Sequence, residues 1–193
     1  PGRAAGSAED DRRGRGTRGE LIRVVEGARS MGMDIDDGLI FAWRLGSEGP
    51  EPLEGAAVDR AWQAGVPVWV HLDRTWSGIE RWLREVAGID PAMTEALLAP
   101  ETRPRVAAHE DGLLINLRGA NLNPGAEPED MVSVRIWMTG HGIITLRGPR
   151  LIAADDVARE LSGGHGPADA RQVLVSLAEA LASRVRPVVA AIE

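Results

Sequence analysis

Leu114-Ile-Asn-Leu-Arg-Gly-Ala-Asn-Leu-Asn-Pro-Gly-Ala-Glu-Pro-Glu-Asp-Met-Val-Ser-Val-Arg-Ile-Trp137 is the stretch that decides how this chain of 193 residues is read. Two strand-like runs flank a loop rich in Asn, Pro and Gly. In the first run Leu113, Ile115 and Leu117 point one way and Leu114, Asn116 and Arg118 the other, the period of two that a strand imposes. In the second, Val132, Val134, Ile136 and Met138 alternate with Ser133, Arg135 and Trp137. Between them Asn121, Asn123, Pro124, Gly125 and Pro128 tolerate or pre-set turn geometry. The pattern predicts a β-meander with a shaped loop, and by itself names no function.

Taken as a string, Asn116 to Trp137 resembles the N-terminal cytoplasmic domain of the ZntB zinc transporters, a branch of the CorA superfamily of divalent-cation transporters. Shorter stretches extend the likeness: Trp69-Val-His-Leu-Asp73, Glu101-Thr-Arg-Pro-Arg105 and Ile143-Ile-Thr-Leu-Arg147. It spans roughly Asp34 to the C-terminus. The resemblance implies the cytosolic part of a homopentamer at the cytoplasmic face of the inner membrane, a funnel whose acidic interior concentrates divalent cations, zinc the favoured one. It also implies a long stalk helix that enters the membrane and lines a pore. The pore, its two membrane helices and the Gly-x-Asn signature between them are not in this sequence.

Composition is that of a globular domain, with 44% hydrophobic and 26% charged residues. There is no cysteine, hence no disulfide framework and no thiolate metal site. All 22 basic residues are arginine. Residues 1–33 hold seven arginines and five acids; residues 34–193 hold fifteen arginines and twenty-four acids. So acidic a body argues against nucleic acid as a partner. No apolar run approaches the ~20 residues that cross a bilayer, and no signal-peptide core opens the chain. As a sequence it reads as soluble.

Residues 1–32 read as a flexible N-terminal extension. Gly14-Arg-Gly16-Thr-Arg-Gly19 matches a dinucleotide-loop pattern, but no strand precedes it. Thr17 and Glu20 could box a short helix through Leu21, Val25 and Met31. Leu39 to Leu45 forms a first strand, Gly46 to Pro52 a loop, and Val58, Ala61 and Trp62 one face of a helix ending at Gly65. Val68 to Asp73 is the next strand, so the order strand–helix–strand predicts a crossover unit. Ser77 and Glu80 predict a capping box before Ile79, Trp82, Leu83 and Val86. Asp90 and Pro91 open another helix, with Met93, Leu97 and Leu98 inward, and Pro100 stops it. Strands follow at Arg103 to His109, in the central stretch, and at His141 to Arg147. A helix around Ile152, Val157 and Leu161 then stops at Gly163-Gly164.

From Asp169 the apolar positions Leu174, Ala178, Leu181, Val185, Val188 and Ile192 step by four and three, a heptad seam. Pro187 should kink or interrupt that helix. The expected fold is α/β, a mixed β-sheet sandwiched between helices (α-β-α), with a C-terminal helix leading toward a membrane stalk. Residues 1–32 are the extension, 33–168 the α/β cytoplasmic domain and 169–193 the start of the stalk helix, cut short.

No nucleophile elbow, phosphate loop or zinc-protease helix motif is present, so no enzyme is expected. Nor is a cofactor required. His141 and His165 read as solvated beside their glycines, and His109-Glu110-Asp111 as a solvated turn. His71 and Asp73 lie two apart on one strand face near its C-terminal end, where α/β sheets bind ligands. Imidazole and carboxylate together are half a site for Zn2+ or another divalent cation. The competing reading has His71 packing beside Trp69 and Asp73 capping the loop to Arg74. Asp155-Asp156 suits the positive end of a helix dipole. The expected function is the regulatory, funnel-forming domain of a ZntB-type cation transporter that self-associates and meets the membrane only through helices outside this sequence. The alternative is a stand-alone metal-sensing or adaptor domain of the same fold.

Overall fold

The computed structural model describes residues 34–100, 103–127 and 130–190. The extension with its expected Thr17–Glu20 box, Glu101 and Thr102 of the arginine motif, Pro128 of the central loop and Ile192 of the seam lie outside them.

The central stretch forms an antiparallel hairpin, β5 (Gly112–Gly119) and β6 (Val132–Met138). Leu117 faces Val134, Ile115 faces Ile136 and Leu113 faces Met138, so the two alternating apolar sets share one side of the sheet. β4 (Arg105–His109) and β7 (Gly142–Arg147) flank the hairpin and complete a meander. Beyond β7 come β3 (Val68–Asp73), β1 (Leu39–Arg44) and β2 (Glu51–Leu53), giving the order β2-β1-β3-β7-β6-β5-β4. The β3–β7 joint is the parallel one, and the sheet is therefore mixed. Central β3 is apolar on both sides, as a strand covered by helices on both faces requires.

Helices cover both faces. The side bearing Trp69, Ile143, Ile136 and Ile115 lies under α4 (Ile152–Ser162) and α5 (Ala170–Ala190), which contribute Val157, Leu161, Val173 and Leu177. Opposite them pack α1 (Ala56–Gln63), α2 (Ile79–Glu85) and α3 (Pro91–Leu98), burying Trp62, Trp82, Leu83 and Leu97. The Trp82 indole N–H donates to Asp59 at 2.8 Å and ties α2 to α1.

Four local expectations change. The crossover unit exists one strand later than the sequence suggests. β1 and β3 are antiparallel, because Glu51–Leu53, at the end of the expected loop, forms β2 and reverses the chain first. β2, α1 and β3 make the parallel crossover, with β1 between the two strands. A three-residue strand holding a proline leaves no periodic signal, and proline is tolerated there because β2 is an edge. Secondly, Ser77 does not cap α2: its N-cap is Gly78, with no side-chain hydrogen bond. By contrast Asp90 caps α3 as expected, accepting from the Ala92 N–H at 2.8 Å. Thirdly, α5 turns Ala170, Val173, Leu177 and Leu181 inward and leaves Ala178 exposed, the 3.6-residue stripe of a helix lying on a sheet. Finally, α5 runs uninterrupted past position 187 to Ala190.

Candidate functional site

His71 and Asp73 sit where the sequence places them, on one face of β3 at its C-terminal end, beside Thr145 and Arg147 of parallel β7. His71 is fully buried. Its Nδ1 lies 2.7 Å from the Thr145 hydroxyl, which also accepts the Trp69 indole N–H at 2.9 Å. Phe41 of β1 stacks on the imidazole, ring centroids 4.7 Å apart. Burial and the Arg147 charge push the His71 pKa from 6.5 down to about 3, against the smaller opposing effects of Thr145 and Asp73. The ring is therefore neutral at physiological pH, and its Nε2 is enclosed without a partner.

Asp73 faces the other way chemically. Its Oδ1 accepts both the backbone N–H and the hydroxyl of Thr75, at 2.7 and 2.6 Å, closing an Asx-type turn out of β3. As metal ligands the pair would offer His71 Nε2 and the second Asp73 oxygen. Among the described residues no group of three or more His, Cys, Asp or Glu side chains converges on a common point.

The other candidate residues separate cleanly. His165 is exposed, as expected. His109 is half-buried against Trp137, its Nδ1 accepting the Asp111 N–H at 3.4 Å. His141 is a correction: it leans on Trp62 with centroids 5.1 Å apart and Nε2 enclosed, because Gly142 beside it has no side chain and lets the Trp62 ring approach the start of β7. Of the two aspartates in α4, Asp155 lies in the first turn and pairs with Arg150 at 2.6 Å. Asp156 lies past it and bridges to α5, pairing with Arg159 at 3.0 Å and with Arg184. Burial raises its pKa, but the hydrogen bonds and charges of Arg184 and Arg159 outweigh that and hold the carboxyl below its usual value.

Sequence reasoning missed Arg135. It alternates correctly in β6 yet is 4% exposed. Its guanidinium donates to the Ala99 and Pro100 carbonyls, at 2.7 and 3.3 Å, just past the last turn of α3. Burial and neighbouring Arg74 lower its pKa to about 10, so it stays charged. The signal available was an arginine in a strand whose neighbours on both sides are apolar.

A family model described as CorA-like Mg2+ transporter protein matches residues 64–193. The zinc transport protein ZntB of Pectobacterium carotovorum subsp. carotovorum (strain PC1) is 40% identical over 115 residues, 60% of this chain and 35% of that protein. The structure of the full-length CmaX protein superposes with a TM-score of 0.73 at 37% identity, covering 81% of this chain and 49% of that one. The crystal structure of the ZntB cytoplasmic domain from Vibrio parahaemolyticus RIMD 2210633 superposes at a TM-score of 0.71 over 84% of this chain and 63% of that one, and at 24% identity it speaks for the fold alone. The chain spans about a third to a half of the length of the curated relatives it matches.

Proposed function

Because the chain belongs to the CorA-like Mg2+ transporter family, we propose that it is the cytoplasmic domain of a divalent-cation transporter of ZntB type, with zinc the favoured ion. The observation that carries this reading is the 37% identity and 0.73 TM-score to full-length CmaX over 81% of the chain. Among the described residues no helix is long and apolar enough to cross a membrane, so conduction is assigned to sequence beyond them. The α/β body of residues 33–168 forms the wall of a homopentameric funnel, and residues 169–193 begin the stalk. The domain's work is regulation and cation concentration, not catalysis.

The gene past codon 193 tests the reading. Two apolar stretches of ~20 residues joined by a short Gly-x-Asn loop are expected there. A stop codon soon after Glu193 overturns it in favour of a free-standing sensor. Isotope flux through proteoliposomes bearing the intact protein then decides the ion: zinc uptake outrunning magnesium uptake is expected, and the reverse order rejects zinc.

Within this proposal His71 and Asp73 are the cation half-site. Their shared strand face supports it, while the Thr145 and Thr75 hydrogen bonds give both residues a sufficient structural role. Calorimetric zinc titration of the double alanine variant decides between them. Unchanged zinc affinity removes the half-site.

A further inference from the structure

β1 is longer than the edge strand that covers it. β2 pairs with Ala42, Trp43 and Arg44 and stops, so among the described residues Leu39–Phe41 have no strand on their outer side. A groove of about 310 Å³ opens there. Half-buried Leu39, Phe41 and Trp43 form its floor, and exposed Pro52 stands opposite Trp43. Asp36 and Glu54, both exposed, stand at its rim. Asp36 is held in place by accepting the Gly55 N–H at 2.9 Å through Oδ1, and no hydrogen bond engages its other oxygen among the described residues.

The charge around this edge is one-sided. Between Asp34 and Glu54 there are six acids and one base, Arg44, already paired with Glu51 at 3.0 Å. An uncovered strand edge supplies backbone hydrogen-bond sites to an extended chain. Aromatic faces with carboxylates beside them suit a guanidinium, which stacks and pairs at once.

We propose that this groove takes an arginine-bearing extended peptide of a partner protein, which adds a short strand along Leu39–Phe41 and sets a guanidinium over Phe41 and Trp43 between Asp36 and Glu54. Backbone pairing provides the register and the acidic rim the selectivity. The inference stands independently of the ion that the intact protein carries.

The test is calorimetric titration of the whole chain with a short capped peptide of alternating arginine and valine, beside one with glutamate in place of arginine. Binding of the arginine peptide is expected, weakening as salt rises from ~50 to ~300 mM, with no binding of the glutamate peptide. The Asp36→Asn, Glu54→Gln double variant keeps the acceptor for Gly55 and should bind about tenfold more weakly, with an unchanged thermal melt. Amide exchange should slow at Leu39–Phe41 when the peptide is bound. No binding at low salt, undiminished affinity in the double variant, or protection confined to another region each overturns the proposal. So does displacement of the peptide by equimolar Zn2+ or Mg2+, which would make the rim a cation site.

Discussion

The β3–β7 joint at the centre of the sheet and the β1–β2 edge each set polar side chains beside aromatic rings, to opposite effect. At the joint, the Thr145 hydroxyl meets the Trp69 indole N–H and His71 Nδ1, His71 Nε2 is enclosed without a partner, and no solvent reaches the three residues. At the edge, Phe41, Trp43, Asp36 and Glu54 remain at least partly open around a groove. Phe41 belongs to both, since it stacks on His71 while flooring the groove. The difference is one of position in the sheet. A central strand must close its backbone polar groups internally, whereas an edge strand can leave them to solvent or a partner.

Acid should break the comparison most strongly. His71 has a folded pKa of about 3 against an ordinary value of 6.5, so below pH 6.5 the unfolded chain binds the extra proton. Its contribution is complete above that pH and falls as the pH drops toward 3. The full loss is on the order of 5 kcal/mol, since each tenfold difference in proton affinity between the folded and unfolded chain is worth about 1.4 kcal/mol. Denaturant midpoints measured across that window in the native chain and in His71→Phe should converge toward acid. Parallel curves would mean that His71 does not govern the loss.

Thr145→Val comes next. It preserves shape but leaves the Trp69 indole N–H and His71 Nδ1 unpartnered, at a cost of ~3 kcal/mol by urea unfolding. A loss below ~1 kcal/mol would show that the three groups are not a closed network.

Asp156→Asn weakens the tie between α4 and α5. With both partners partly exposed, the expected loss is about 1 kcal/mol, shrinking in high salt, with faster amide exchange in α5 around Arg184. Because the Asp156 carboxyl titrates below its usual value, this contribution is present above the ordinary carboxylate pKa and fades as pH falls through the folded one.

The smallest expected effect sharpens the contrast. The Asp36→Asn, Glu54→Gln variant should change stability by no more than ~0.5 kcal/mol, while a comparable polar deletion at the joint costs several times that. A large loss at the edge would mean that the rim carboxylates support the fold.

Alternation placed β5 and β6, because a strand with one buried face repeats every two residues, while β3 stood out as a short apolar run opening after Pro67. Asp90-Pro91 marked the start of α3 because its capping chemistry is local. His71 and Asp73 were legible as neighbours on one strand face, but not what occupies them. Thr145 lies 74 residues from His71, and only strand pairing brings its hydroxyl to 2.7 Å.

The family was thus readable from the sequence, since the central string carries local pattern and resemblance together. Tertiary structure decided the rest. β2 was invisible because three residues around Pro52 have no period. Arg135 carried a local hint in its apolar strand neighbours, but its acceptors are carbonyls just past a helix end, 35 and 36 residues earlier, and only the fold brings them together. The inward face of α5 shares only Leu181 with the heptad seam, because steps of three and four fit a coiled coil and a sheet-lying helix equally well. Which stripe turns inward depends on the surface it meets, and that surface is assembled from strands distant in sequence.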